Sequence, residues 1–296
     1  MLQATPLNDL IPIAIQGADT RSFMQGQLTN DVRKVGPQKA IWGALCSGQG
    51  RVQALVTLLQ HDEGLLGLFH ASLIDGVLKR LRAFTLSSKV TFERSPLVVA
   101  QVTGDVGQTL ATGLPGSPGD CTSVGGVTMI RWWGADARYV CVAPAGELQE
   151  TSGVEAAART LAWRQSDVRM GLARVLPETE GMFVPQTLNL DLLSGLSYEK
   201  GCYVGQEVVA RARRAGVPRR LLGFSASCSA PAPGTVVRAG DADAGQVLDA
   251  ISSDSGCDLL AVVELELASG TLELHDIADS RLAPRSLSYP VPLERR

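Results

Sequence analysis

A chain of 296 residues with 45% hydrophobic content is too long for one ordinary core and too apolar for disorder, so two or three packed domains are expected. The net charge of −3 argues against a general nucleic-acid binder. The longest apolar runs, such as residues 65–69, are far too short to span a bilayer, and residues 1–6 lack the pattern of a secretory signal, so a cytoplasmic protein is expected.

In chain order, residues 11–15 read as a buried strand ended by the turn signal Gly17-Ala18-Asp19. Asp19 is placed to cap a helix whose Phe23, Met24 and Leu28 share one face. Strands follow over 40–46 and 51–60, and a hairpin at 61–64 leads into a strand over 65–69. Ser72, with Asp75 three residues on, resembles a capping box for a helix carrying Leu73, Val77, Leu81 and Phe84. Strands near 89–92 and 97–103 complete this region. A weaker second cycle has a helix over 104–114, a Gly/Pro-rich loop over 113–119, strands over 127–132 and 139–143, and a helix from Glu147 to about Leu161. Beyond Leu221, short apolar runs between Gly, Pro, Asp and Ser clusters read as an antiparallel β-barrel or sandwich of about six strands. The organisation expected is α+β: one unit over 1–95, a second over 96–170, a motif-rich segment over 171–220 and a β-barrel over 221–296.

Common site chemistries find little support. The six cysteines, at 46, 121, 141, 202, 228 and 257, contain no Cys-x-x-Cys pair. A zinc knuckle or thioredoxin-like site is therefore unsupported, no metal is expected, and a permanent iron–sulfur cluster would need distant cysteines to converge. Phosphate-binding glycine loops and the Gly-x-Ser-x-Gly elbow are missing. His61, His70 and His275 read as structural or solvent-exposed side chains rather than catalytic ones.

What remains is the dense stretch 179–220, centred on Lys200-Gly201-Cys202-Tyr203-Val204-Gly205-Gln206-Glu207. Gly201 and Gly205 put Cys202 on a turn before a helix over 205–213 with Val208, Val209 and Ala212 inward. Two readings follow. The helix start and Lys200 stabilise a reactive thiolate, or the glycines shape a tight turn around a small buried cysteine. Nearby, Arg211, Arg213, Arg214, Arg219 and Arg220 crowd into ten residues, as a solvated face or as an anion site for a polyglutamate tail, a phosphate or RNA.

The run Lys-Gly-Cys-Tyr-x-Gly-Gln-Glu closely resembles the signature of the YgfZ family of folate-binding proteins. Gly17-Ala18-Asp19, Gln25 to Val32, Phe183 to Leu190 and Val209-Ala210-Arg211 are similar to the family as well. The resemblance covers roughly the first sixty residues and 163–223. It implies a T-protein-like ring of three domains around a folate cavity, with residues 171–220 returning to the first units. Tetrahydrofolate or a derivative is the implied cofactor. The implied partners are iron–sulfur proteins, such as radical enzymes that modify tRNA, rather than nucleic acid directly.

On the same resemblance, Cys202 is the candidate functional thiol, with Lys200 beside it. Trp163 falls where the family sets a tryptophan against folate, although a core aromatic fits the sequence equally well. Gln186 and Asn189 offer amides either to a pterin or to turns. Tyr203, Gln206, Glu207 and Arg211 complete the implied cofactor contacts. Two departures matter. At the family's other tryptophan position this chain has Leu10. Where T-protein aminomethyltransferases carry a catalytic carboxylate, Gly50 to Leu55 offer no acid, so aminomethyl transfer is disfavoured.

Overall fold

The computed structural model of the chain describes residues 2–102 and 113–293. The helix expected over 104–114 lies almost wholly outside the described residues.

Three sheets organise the chain. The first comprises β2 (Leu10–Gln16), β3 (Ile41–Cys46), β4 (Val52–His61), β5 (Gly64–His70) and β6 (Thr91–Arg94), in the order β3-β4-β5-β2-β6 with every pair antiparallel. Every residue of β3 is buried, so both of its faces are covered by packing. Two helices accompany this sheet, α1 (Thr20–Gln27) and α2 (Ile74–Thr85).

Neither helix starts as the sequence predicts. Asp19 Oδ2 accepts the backbone N–H of Lys89 at 2.8 Å, which ties the α1 entry to the chain before β6 rather than capping α1. Ser72 forms no capping box: residues Ala71–Leu73 are a 3₁₀ turn, and Asp75 pairs with Arg94 at the surface. Phe84, expected on the buried stripe, is exposed under the Arg80 guanidinium.

The second sheet contains a strand that the sequence reading missed, β1 (Leu2–Pro6). It lies between β7 (Val98–Val102), antiparallel, and β11 (Leu148–Glu150), parallel. The remaining strands are β8 (Cys121–Val124), β9 (Val127–Arg131) and β10 (Tyr139–Ala143). The first residues thus pair with strands expected to form a separate unit. Side chains alternate across this sheet: Val140 and Val142 join the central core, while Cys141 and Ala143 join a second cluster on the opposite face.

The helix expected over 147–161 is displaced. Residues 148–150 form β11, and α3 runs from Gly153 to Met170. It ends at Gly171, in the left-handed region at φ 79°, where the following N–H groups return to Asp167 and Val168 carbonyls. Trp163 is therefore inside a long helix.

The third sheet comprises β12 (Arg219–Ala226), β13 (Val236–Ala239), β14 (Ala242–Ser253), β15 (Gly256–Glu264), β16 (Glu273–Leu274) and β17 (Ala283–Arg285). Its order is β16-β13-β14-β15-β12-β17, all antiparallel, and β16 and β17 stand at unjoined ends. The sheet is a half-barrel rather than a closed barrel. Along β15, Leu260 and Val262 face the central core while Leu259, Ala261 and Val263 face a core of the sheet's own. A register shift in β14 between Val247 and Asp249 turns the Asp249 carboxylate toward α3.

Segment 171–220 has little regular structure before α4 (Gln206–Ala215). Backbone bonds tie it to the first sheet and its loops: Val52 N–H to Phe183, Gly181 N–H to Val52, Ser197 N–H to Thr29 and Val204 N–H to Gly26.

Candidate functional site: an aromatic cavity and a separate signature face

Trp42, Trp132, Trp133 and Trp163 are the only four tryptophans in the chain, and all four line one cavity. Trp42 comes from β3, opposite Thr57 of β4; Trp132 and Trp133 follow β9; Trp163 projects from α3. Trp132 stands edge-on to Trp133 with ring centroids 5.1 Å apart, and further pairs at 6.0 and 6.2 Å link Trp133 to Trp42 and Trp132 to Trp163. The cavity and the open solvent at its mouth together span about 730 Å³. Leu10 and His70, cross-strand partners in β2 and β5, close one side.

Charged groups brace these walls. The Arg138 guanidinium lies 4.2 Å from the Trp163 ring and donates to Asp167 at 2.7 Å. Burial pushes the Asp167 carboxyl upward, and the neighbouring Arg138 opposes that shift. Arg164 and Arg174 both reach Asp249 of the half-barrel, at 2.7 and 3.2 Å, and Arg174 also approaches Asp9 at 3.6 Å. The first sheet, the turn after β9, α3 and residues 172–175 therefore line the cavity, and Asp249 of the third sheet pairs with two of its arginines.

Of the sequence-derived candidates, Trp163 alone lines this cavity. Lys200 is buried and its ammonium does not serve Cys202. Nζ donates to the carbonyls of Gln25, at 2.6 Å, and Leu28, and so caps the last turn of α1. A cation suits that end of a helix. Burial lowers Lys200 from its ordinary 10.5 to about 8.

Helix α4 begins at Gln206, so Cys202 lies outside its first turn. Cys202 is nonetheless the only exposed one of the six cysteines. Burial pushes the Cys46 and Cys141 thiols to about 12 and those of Cys121 and Cys257 to about 11.

The signature glycines differ. Gly205 sits at φ 83°, where an added Cβ would lie 2.5 Å from the Ser47 carbonyl oxygen and 2.8 Å from Gly50 Cα. Gly201 has open space around it. Close backbone approach thus explains Gly205 and not Gly201.

Gln186 and Asn189 are buried ties. Gln186 Nε2 donates to Val209 O at 2.7 Å, and Asn189, at φ 59°, donates from Nδ2 to Leu221 O at 2.8 Å. Tyr203 is buried under the Lys200 ammonium, 4.9 Å from its ring. Tyr203 and Gln206 border a second hollow with Tyr198, Arg213 and Arg214, while Glu207 and Arg211 are exposed on α4. Arg213 stacks 4.0 Å over Tyr198, but Arg220 is buried in a two-pronged pair with Asp191, and Arg219 pairs with Glu264. The arginine cluster therefore divides into exposed and structural members.

Sequence reasoning missed Trp42, Trp132, Trp133, His70 and Arg174. Trp132-Trp133 was the available signal, yet it follows no motif spacing.

No family model matches the chain. The fold is that of an aminomethyltransferase: the glycine cleavage system aminomethyltransferase T from Bartonella henselae superposes with a TM-score of 0.74, covering 97% of this chain and 85% of that one, at 15% identity. Among sequences, the tRNA-modifying protein YgfZ of Photobacterium profundum is 32% identical over 222 residues, 73% of this chain and 67% of that protein. Its counterpart from Yersinia pestis (strain Pestoides F) is 29% identical over 300 residues, 96% of this chain and 91% of that protein. The chain belongs to the YgfZ family.

Proposed function

We propose that this protein binds tetrahydrofolate or a derivative in the four-tryptophan cavity and serves tRNA modification by assisting iron–sulfur proteins. The observation that carries this reading is the convergence of every tryptophan on one cavity, where flat walls suit a heteroaromatic ring. The names of the relatives, tRNA-modifying proteins, and the aminomethyltransferase fold support it. In this reading the three sheets act as three domains in a ring around the ligand, and β1 makes the second of them discontinuous. The clients are proteins, such as radical enzymes acting on tRNA, met in the cytoplasm through the face that exposes Cys202. Among the described residues no helix is long and apolar enough to cross a membrane.

Aminomethyl transfer is disfavoured. Strand β4 offers Leu55, Val56 and Thr57 to the cavity and carries no carboxylate, and Asp9 and Asp167 are paired with Arg174 and Arg138. Titration with tetrahydrofolate tests the proposal. Saturable quenching of tryptophan emission is expected, and Trp163→Ala is expected to weaken binding by about 1–3 kcal/mol. Absence of saturable binding by calorimetry overturns the folate reading.

A further inference from the structure

The cavity is aromatic on most sides, but one end is polar. There His70 and Arg174 each retain a buried nitrogen without a hydrogen-bond partner. Arg174 spends its two terminal nitrogens on Asp9 and Asp249 and keeps Nε unpartnered. A guanidinium Nε always carries hydrogen, so this is an unmet donor. In His70, Nδ1 lies 2.8 Å from the Ser72 hydroxyl and 3.3 Å from the Ser72 backbone N–H; the N–H can only donate, so Nδ1 accepts from it and the hydroxyl donates to the same atom. A neutral imidazole that accepts at Nδ1 carries its proton on Nε2, the buried unpartnered atom. Burial, with Arg174 and Arg164 nearby and only partly offset by Asp9 and Asp249, lowers the ring's basicity and favours that neutral form. Two N–H donors at one end of a cavity call for an acceptor on the ligand, because buried donors are costly until met.

Resting on the folate reading above, we propose that His70 and Arg174 are specificity-determining residues whose two free N–H groups receive a ring carbonyl oxygen, so that the cavity selects 4-oxo pterin rings over their 4-amino counterparts. Exchange of the oxygen for an amino group changes little in shape or stacking area. It sets a donor against two donors and leaves both protein groups unpaired, the arrangement that discriminates most strongly in polar recognition. The tryptophans supply affinity for any flat ring of this size, and the His70–Arg174 end reads its substituent.

The experiment compares tetrahydrofolate with 4-amino-4-deoxytetrahydrofolate by calorimetry on the full chain. The oxo ligand is expected to bind about tenfold to a hundredfold more tightly. His70→Leu is expected to bring that ratio to within about threefold of one by weakening the oxo ligand alone, while His70→Gln, which keeps an N–H at similar reach, retains most of it. Equal affinities in the unaltered protein, or an undiminished ratio in His70→Leu, overturn the assignment and leave the folate reading standing. Failure of both ligands to bind the unaltered protein overturns the folate reading and this inference together. The two-ligand comparison needs no substitution, so it decides the matter even if His70→Leu does not fold.

Discussion

The aromatic cavity and the signature face use their residues in opposite ways. The cavity is assembled from side chains far apart in sequence, none within a recognisable motif: Trp42 on β3, Trp132 and Trp133 after β9, and Trp163 on α3. The signature is contiguous, and most of it holds backbone in place. Lys200 caps α1, Gly205 lies against the turn at Ser47 to Gly50, and Tyr203 fills the core. Its exposed thiol is that of Cys202. Motif density therefore marks a framework around one exposed thiol, and the tryptophan cavity lies elsewhere.

Five substitutions sharpen that contrast, and the largest effect belongs to the framework. Gly205→Ala forces a Cβ into backbone at a positive φ and is expected to cost about 3 kcal/mol or more in denaturant unfolding, with Gly201→Ala within about 0.5 kcal/mol of the parent. Similar losses from both glycines would refute the close-approach account.

Next comes Lys200→Met, which leaves the Gln25 and Leu28 carbonyls without their donor and is expected to cost about 2 kcal/mol at alkaline pH and less near neutral pH, where burial of the ammonium offsets its hydrogen bonds. Its pH signature is distinctive. The folded pKa, about 8, lies below the ordinary 10.5, so the unfolded chain binds more protons between those values. Stability from this group is full above 10.5 and is lost as pH falls through about 8. The parent should therefore gain stability from this residue between those limits, and Lys200→Met should lack that rise in urea titrations across the window.

A smaller effect is expected at the cavity. Trp132 is half-buried, so Trp132→Ala should weaken tetrahydrofolate by about 1–2 kcal/mol while lowering stability less than Gly205→Ala does. Unchanged affinity with a large stability loss would make the tryptophan cluster mere core.

Cys202→Ser should move neither quantity by more than about 0.5 kcal/mol, because the side chain is exposed and outside the cavity. Support of iron–sulfur enzymes in cells should nevertheless fall. Iodoacetamide at neutral pH should label Cys202 before the four buried thiols, which peptide mass analysis can follow. A serine variant with full cellular support would remove the thiol from function.

Much of the fold was legible because local pattern and tertiary packing agree. Strands β2 to β5 alternate or run apolar between clear turn signals, and α1, α2 and α4 carry one apolar stripe each. The elements that escaped depend on partners. Strand β1 has no pattern of its own and becomes a strand between β7 and β11, while β11 is three residues long and was absorbed into the neighbouring helix.

By itself the sequence determined the α+β class, the β-rich tail, the placing of Cys202 outside any helix or strand and the place of Trp163 among the candidates. Tertiary structure alone decided that Lys200 caps α1 instead of facing the thiol, that Gln186 and Asn189 serve as ties, and that three further tryptophans join Trp163. The physical reason is reach. Periodicity and turn chemistry act over a few residues, whereas a buried ammonium or an aromatic ring satisfies itself with whatever the long-range fold brings alongside.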